Sequence, residues 1–209
     1  MFTGLIGGVM KKCLMCVLGV VMVGMVAFVA SLGATTSAEM ADLKRRAQEG
    51  EAKAQFELGR CYHEGEGVSK NFVESVKWYR KAAEQGLDEA QYFLGWCYEF
   101  GEGVPADYEE AMKWYRKAAE QGDTSAQFRL GVRYRYGEGV SKNLVEAAKW
   151  YRKAAEQGLS FAQFGLGGCY EFGEGVPADY EEAMKWYRKA ADQGDVYAER
   201  RYRKLTTGE

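Results

Sequence analysis

The sequence predicts an all-α protein: an α-solenoid of four 36-residue helix-turn-helix repeats with half-repeat caps at its ends. Three observations predict this architecture. Identical residues recur 36 positions apart along most of the chain. Within each unit, the apolar residues fall at the spacing of one buried helical face. Glycines recur at fixed intervals and separate the two helical patterns of each unit.

The N-terminal segment, residues 1–38, differs in composition from the rest of the chain. Lys11 and Lys12 are its only charged residues, and an uncharged apolar run follows from Cys13 to Ala30. Small residues then extend to Ala38, an arrangement typical of a secretory signal peptide. The alternative is a membrane anchor, because the run is just long enough to cross a bilayer. Either reading predicts an exported protein, periplasmic or secreted, that meets a membrane only through residues 13–30 if the segment is uncleaved.

Residues 39–53 have the pattern of a closing helix and are interpreted as an N-terminal half-repeat cap. Ala47 and Gly50 are in phase with the alanine and glycine that close every later unit. The array is therefore expected to begin with half a repeat.

Four full repeats are expected at residues 54–89, 90–125, 126–161 and 162–197. Their phase is set by residues that stand 36 positions apart, namely Ala54, Ala90, Ala126 and Ala162, and the pairs Trp78-Tyr79, Trp114-Tyr115, Trp150-Tyr151 and Trp186-Tyr187. A second period, two repeats long, lies above this one. Repeats 1 and 3 share Val-Ser-Lys-Asn at 68–71 and 140–143, whereas repeats 2 and 4 share the segments 103–119 and 175–191. This two-repeat period indicates duplication of a two-repeat block.

Each repeat is predicted to be an antiparallel helix pair. In repeat 2 the buried stripe of the first helix is expected to be Ala90, Leu94, Cys97 and Tyr98. Gly95 lies on that face and allows another helix to approach closely. Gly101 and Gly103 end this helix, and Asp107 is the expected N-cap of the second. The expected buried residues of the second helix are Tyr108, Ala111, Met112, Tyr115, Ala118 and Ala119. Because neither helix face can be buried alone, the repeats must stack.

The last segment, residues 198–209, is interpreted as a C-terminal capping helix. It has the phase of an opening helix, but Arg203 stands where the other first helices have their buried glycine. A charged residue there suits a helix that faces solvent, as terminal units of repeat arrays do.

The recurring pattern Ala-x-x-x-Leu-Gly-x-x-Tyr-x-x-Gly-x-Gly-Val, followed by Ala-x-x-Trp-Tyr-x-Lys-Ala-Ala-x-x-Gly, resembles the Sel-1-like repeats, relatives of the tetratricopeptide repeat. The resemblance covers about residues 43–207, with small changes such as Ser75 for the first alanine of the second motif. It implies a right-handed α-solenoid whose first helices line the concave side. It also implies an adaptor for protein or peptide partners, without one conserved reaction.

A groove on the first helices is the candidate binding site, because positions that vary among the repeats are not required for stacking. The candidate residues are Trp96, Glu99, Phe100, Arg60, His63, Arg135, Tyr136, Glu171 and Phe172. An aromatic floor with a charged rim suits a peptide or an amphipathic helix. Trp96 is the sharpest candidate, because Arg60, Val132 and Gly168 hold its place in the other repeats. The alternative for Phe100, Tyr136 and Phe172 is packing against the neighbouring turn. The recurring aromatics Phe56, Tyr92, Phe128 and Phe164 are expected to be structural.

Charge and motif content exclude several function classes. The net charge is −2, with no concentrated basic segment, so no nucleic-acid partner is expected. The lysines and arginines of the second helices are interpreted as a solvated face, paired with Glu84 and its equivalents three residues later; an anionic partner is the alternative. His63 is the only histidine, and no metal, cofactor or nucleophile motif is present. We therefore expect a monomeric adaptor that is not an enzyme.

The remaining alternative is a secreted hydrolase or a cell-wall-ligand protein that binds β-lactams. The resemblance to the Sel-1-like repeats suggests it, because such activity is attributed to some exported members of that family. Such relatives often carry two cysteines per unit that bridge the helix pair. Here Cys61, Cys97 and Cys169 occupy one position of repeats 1, 2 and 4, with Arg133 in repeat 3. We expect free, mostly buried thiols, because packed neighbouring helices rarely bring Cα atoms within disulfide range. A Cys61–Cys97 bridge is the alternative.

Overall fold

The computed structural model describes residues 36–208, which form ten α-helices and no strand. The helices are α1 Ser37–Gln48, α2 Ala52–Glu64, α3 Phe72–Glu84, α4 Asp88–Phe100, α5 Tyr108–Gln121, α6 Thr124–Tyr136, α7 Leu144–Glu156, α8 Ser160–Phe172, α9 Tyr180–Asp192 and α10 Val196–Thr207. Within this range no helix has the length and apolar character needed to cross a bilayer. The predicted signal or anchor lies outside the described residues, except for Thr36, which caps α1, and residues 37–38, which begin it.

The helices alternate between two types and pack in chain order along the array. We call the first helix of each repeat the A helix (α2, α4, α6, α8 and, as a half repeat, α10). The second is the B helix (α3, α5, α7, α9 and, as a half repeat, α1). The exposed sides of the two sets are called the A face and the B face. This arrangement confirms the predicted all-α solenoid, and each end of the described array is half a helix pair.

Each turn from an A helix to its B helix depends on two glycines. Gly101 ends α4 with a φ of 72° in the left-handed region, and Gly103 has a φ of 74°. Gly103 also touches the preceding repeat, because a Cβ there would lie 2.2 Å from the carbonyl oxygen of Phe72. Asp107 then caps α5 by accepting hydrogen bonds from two backbone amides. The predicted glycine stop and N-cap are confirmed, and the second glycine also fixes one repeat against the next.

In each of the four full repeats, a glycine of the A helix packs directly against a buried tyrosine of the B helix. A Cβ on Gly95 would lie 2.9 Å from the ring of Tyr115, which is fully buried. The equivalent pairs are Gly59 with Tyr79, Gly131 with Tyr151 and Gly167 with Tyr187. The predicted close approach is thus confirmed, and its partner is one recurring position of the array. Tyr108 was wrongly expected in the core: it is 46% exposed, with the Arg133 guanidinium over its ring.

Buried glutamines connect consecutive repeats. The Nε2 of Gln91 donates to the carbonyl oxygen of Ala83 at 3.1 Å, and its Oε1 accepts from Gln121 at 2.8 Å. Both groups of the buried amide are therefore satisfied across three helices. The same pattern recurs at Gln55, Gln127 and Gln163.

The basic residues of the B face have partners that differ from the expected ones. Lys77 donates to Glu74 at 2.6 Å, the Lys81 ammonium lies 4.0 Å from the Trp78 ring centroid, and Arg80 donates to the hydroxyl of Tyr98 at 2.7 Å. The same three contacts recur in repeats 2 and 3. The predicted pairing with Glu84 was wrong, because a tryptophan ring three residues earlier lies beneath the lysine.

Cys61, Cys97 and Cys169 are free and buried, as the sequence predicts. Burial raises the pKa of Cys97 from 9.0 to about 12 and that of Cys169 to about 11. It also raises the pKa of Cys61, which is the most exposed of the three thiols. Since the thiolate is the reactive form, all three are protected in the folded protein.

Iodoacetamide at pH 8 is expected to modify Cys61 first, Cys169 next and Cys97 last. Each unit by which the pKa is raised lowers the thiolate fraction about tenfold at a pH below the pKa. Peptide mass mapping during the reaction measures each rate separately. In denaturant the three rates are expected to converge, and equal rates in the native protein would contradict this prediction.

Candidate partner-binding surface

Three exposed aromatic side chains form a row at the C-terminal ends of successive A helices. Phe100, Tyr136 and Phe172 occupy the same position of repeats 2, 3 and 4, and they are 51%, 64% and 60% exposed. Since most of each ring is open to solvent, packing against the neighbouring turn does not account for them. These are three of the predicted floor residues, and together we call them the aromatic row.

An arginine lies over each ring of the aromatic row. The guanidinium carbons of Arg129, Arg135 and Arg201 are 5.6, 5.8 and 5.3 Å from the ring centroids of Phe100, Tyr136 and Phe172, respectively. Stacking of this kind limits the rotamers of both side chains, so less conformational entropy is lost when a partner binds. The row therefore presents rigid aromatic surface beside polar guanidinium edges.

Glu99 was wrongly placed on the rim of the groove. It is 3% exposed and accepts a hydrogen bond of 2.7 Å from the hydroxyl of Tyr115. Arg129 donates to its other oxygen at 3.0 Å, and Arg133 pairs with that same oxygen. Burial, the charge of Glu99 and their hydrogen bond raise the pKa of Tyr115, so the phenol stays protonated. Glu99 thus joins repeat 2 to repeat 3 and is not available to a partner.

Glu171, which stands two repeats after Glu99, has the same role. It accepts from the Tyr187 hydroxyl at 2.7 Å and from the Nε of Arg201 at 3.1 Å. Its side chain is 9% exposed, so the predicted rim carboxylate is again enclosed. The contact joins repeat 4 to the capping helix α10.

His63 and Arg135, which hold this position in repeats 1 and 3, pair with the following turn. His63 Nε2 lies 2.9 Å from Glu102, and an Nη of Arg135 lies 2.8 Å from Glu174. Both side chains are partly exposed, at 19% and 25%. They lie on the A face as predicted, but their charged groups face the next repeat. Arg60 is the one candidate of repeat 1 whose side chain is exposed.

Trp96 lies beside the aromatic row and contributes to the core. Its ring is 4.9 Å from that of Phe100 and 5.5 Å from that of His63, measured between centroids. It also packs against the hydrophobic clusters of repeats 1–2 and 2–3. Trp96 thus has a packing role in its own repeat, although its variability among the repeats shows that the array does not need a tryptophan at this position. By contrast, Phe56, Tyr92, Phe128 and Phe164 each lie 5.5–5.9 Å from a buried tyrosine ring, which confirms their structural role.

The residues missed at the sequence level are the partners of the two enclosed glutamates. Arg129 follows Glu99, and Arg201 follows Glu171, at the same separation, and the two pairs stand two repeats apart. The two-repeat period of the sequence could have revealed these pairs. A buried glutamate that occurs in every second repeat needs an arginine that also occurs in every second repeat. Within residues 36–208 no group of three His, Cys, Asp or Glu side chains is arranged to hold a metal ion.

Stacked helix pairs of this kind define a helical-repeat protein, a class that presents extended faces built from many equivalent positions. The chain belongs to the Sel1 repeat family. The sequence model of the Sel1 repeat matches residues 52–87, 88–123, 124–159 and 160–195. Each matched unit begins two positions before the alanine that sets the phase of the array. Sel1 repeat proteins are generally scaffolds for protein interaction.

The solved structures that share the fold include the following two. A protective antigen of uropathogenic Escherichia coli that displays an SLR fold is 48% identical, with a TM-score of 0.74 over 76% of this chain and 34% of that one. A Sel1 repeat protein from Oxalobacter formigenes is 38% identical, with a TM-score of 0.74 over 80% of this chain and 48% of that one. The chain therefore spans between a third and a half of their lengths.

One curated relative is the secretory immunoglobulin A-binding protein EsiB of Escherichia coli O6:H1. It is 47% identical over 73 residues, which are 35% of this chain and 14% of EsiB. The aligned part covers about two repeats, so the likeness concerns the repeat unit.

Proposed function

We propose that the protein is a non-catalytic adaptor that binds a protein or peptide partner through the aromatic row of its A face. The observation that carries this proposal is the row itself: three exposed rings, each stacked by an arginine. Aromatic and arginine side chains are the commonest energetic anchors of protein interfaces. The charges beneath the row are paired within the array, so the partner is selected chiefly by shape and apolar contact.

EsiB is named for binding secretory immunoglobulin A, which is consistent with a protein partner for this array. Among residues 36–208, no cluster or contact favours the hydrolase or cell-wall-ligand alternative. We further propose that the protein is exported to the periplasm or beyond, on the basis of Lys11, Lys12 and the uncharged run at 13–30.

Changing Tyr136 to serine is expected to weaken partner capture at least about tenfold, since an aromatic anchor contributes about 2 kcal/mol or more. The matched control is Tyr180→Ser, which removes a ring that is 60% exposed on a B helix. Affinity capture from the native organism, followed by mass spectrometry, gives the comparison. The triple variant Phe100→Ser, Tyr136→Ser, Phe172→Ser is expected to lose the partner altogether.

Circular dichroism shows whether each variant keeps its helices. If the triple variant is folded and captures the same proteins in the same amounts as the parent, the aromatic row is not the binding surface. Trp96 is unsuitable for this test, because its removal would also open a cavity between two clusters of the core.

A further inference from the structure

Three cavities recur along the B face, each between a B helix and the turn of the following repeat. Groove 1 is lined by residues 73–84 of α3 and by Gly103 and Val104, with a volume of about 460 Å³. Groove 3 is lined by residues 145–156 of α7 and by Gly175 and Val176, with a volume of about 450 Å³. Groove 2, at the equivalent place in repeat 2, has only about 230 Å³. The volumes therefore follow the two-repeat period.

One position accounts for much of the difference in chemical character between groove 2 and the two larger grooves. Val73 and Val145 open grooves 1 and 3, and they are 53% and 50% exposed. Groove 2 has Glu109 at that position and the larger Met112 deeper in the groove. Grooves 1 and 3 thus have an apolar end, whereas groove 2 has a carboxylate there.

At the other end of each large groove, an arginine and a lysine stand against one carboxylate, which is Glu84 in groove 1 and Glu156 in groove 3. In groove 1, Arg80 donates to the Tyr98 hydroxyl at 2.7 Å and Lys81 lies 4.0 Å from the Trp78 ring centroid. In groove 3 the corresponding contacts are Arg152 to Tyr170 at 2.6 Å and Lys153 over Trp150 at 4.1 Å. Each B helix of a large groove carries three cations against two carboxylates, as the segments 72–84 and 144–156 show.

The aromatic partners hold these cations in position without neutralising them. Within residues 36–208, Arg80, Lys81, Arg152 and Lys153 have no carboxylate oxygen within 4.0 Å. Two charges per groove are therefore oriented before any partner binds, which lowers the entropy that binding would cost. An anionic group is the complement of such a site.

We propose that grooves 1 and 3 are two equivalent docking sites for a partner with acidic segments, each bearing an aliphatic side chain at one end. The aliphatic side chain would contact Val73 or Val145, and carboxylates would pair with the arginine and lysine beyond it. The helix wall of each groove spans roughly 16 Å, enough for a segment of about five extended residues. The apolar end favours such a segment over a plain polyanion.

Two grooves on one chain predict bivalent binding. A partner with two such segments binds the second one intramolecularly, so its affinity exceeds that of one segment by about 10² or more when the linker spans the sites. This surface is separate from the aromatic row, so either proposal can fail while the other stands.

The test uses the purified protein and a fluorescein-labelled peptide with its aliphatic residues at one end, Leu-Leu-Asp-Glu-Glu, titrated by fluorescence polarisation. We expect saturable binding at two sites per chain, and tighter binding of a tandem peptide joined by flexible glycine-serine linkers of graded length. The double variant Val73→Glu, Val145→Glu copies the residue of repeats 2 and 4 and is expected to lower affinity at least about tenfold. Val196→Glu, which alters a 67% exposed valine of α10, is the matched control.

The reverse change, Glu109→Val with Met112→Val, gives groove 2 the residues of groove 1 and is expected to raise the number of sites to three. Polyglutamate and duplex DNA of equal charge are the comparison ligands, and tighter binding of either would replace the proposed partner by a simple polyanion. Failure of the peptide to bind at millimolar concentration would overturn the proposal. Binding that the double variant leaves unchanged would do the same, with circular dichroism showing that the variant is folded.

Discussion

Replacing Glu99 with alanine is expected to lower the free energy of unfolding by about 3–5 kcal/mol, the usual cost of removing one partner from a buried ionic group. The carboxylate is 3% exposed and binds Tyr115, Arg129 and Arg133. Without it, the side chain of Arg133, only 11% exposed, loses its buried carboxylate and keeps the pairing with Glu138 at the protein surface and the contact with the Tyr108 ring. A urea titration of the far-ultraviolet circular dichroism measures the loss as a shift of the midpoint.

Glu171→Ala is the matched control, because it removes the same carboxylate one two-repeat period later. Its partner Arg201 is 31% exposed and can be hydrated, so we expect a loss of only about 1.5 kcal/mol. Adding Arg133→Cys to Glu99→Ala is expected to restore part of the stability, since cysteine is the residue of repeats 1, 2 and 4 at this place. Equal losses for the two glutamates would show that burial of Glu99 is not the cause.

Two adjacent glycines of α8 are expected to respond to alanine in opposite directions. Both substitutions raise helix propensity by about 1 kcal/mol. A Cβ at Gly167 would lie 2.7 Å from the ring of Tyr187, which is buried and held by its hydrogen bond to Glu171. A Cβ at Gly168 meets only the Tyr187 hydroxyl at 3.6 Å and Arg135 at 4.0 Å.

Gly167→Ala is therefore expected to destabilise the protein by about 2 kcal/mol net, because overpacking exceeds the gain in propensity. Gly168→Ala is expected to stabilise it by up to about 1 kcal/mol. Thermal unfolding of the two variants beside the parent gives both signs in one experiment. A stabilised Gly167→Ala variant would mean that the helix pair has room for a methyl group, contrary to the observed contact.

The sequence was sufficient to predict the helix pairs and the contacts that repeat in every unit. The glycine stop at Gly101, the cap at Asp107 and the close approach at Gly95 follow from local rules that act within a few residues. Because the same helix ends and contacts recur in each repeat, an uncertain assignment in one repeat can be checked against the equivalent residues of the others. The partner of Gly95, the buried ring of Tyr115, follows from the same periodicity.

The surroundings of Glu99 and Trp96 could not be predicted in this way. Helical spacing shows which side of a helix a residue occupies, but not how the next repeat covers that side. Glu99 lies under Arg129 and Arg133, which come from the A helix of the following repeat. Trp96 was interpreted by its variability among the repeats, although a residue present in one repeat can still fill a space that only that repeat has.

The charge pairs between repeats also limit how the length of such an array can change. His63 and Arg135 reach forward to Glu102 and Glu174, while Glu99 and Glu171 receive arginines from the unit that follows. Losing one repeat, such as residues 88–123, would remove Glu99 and leave Arg129 without its carboxylate. Losing residues 88–159 would instead bring His63 to Glu174 and keep every remaining pair matched. Insertions and deletions in the gene are thus expected to be tolerated two repeats at a time, so the inheritable unit of this array is twice its structural unit.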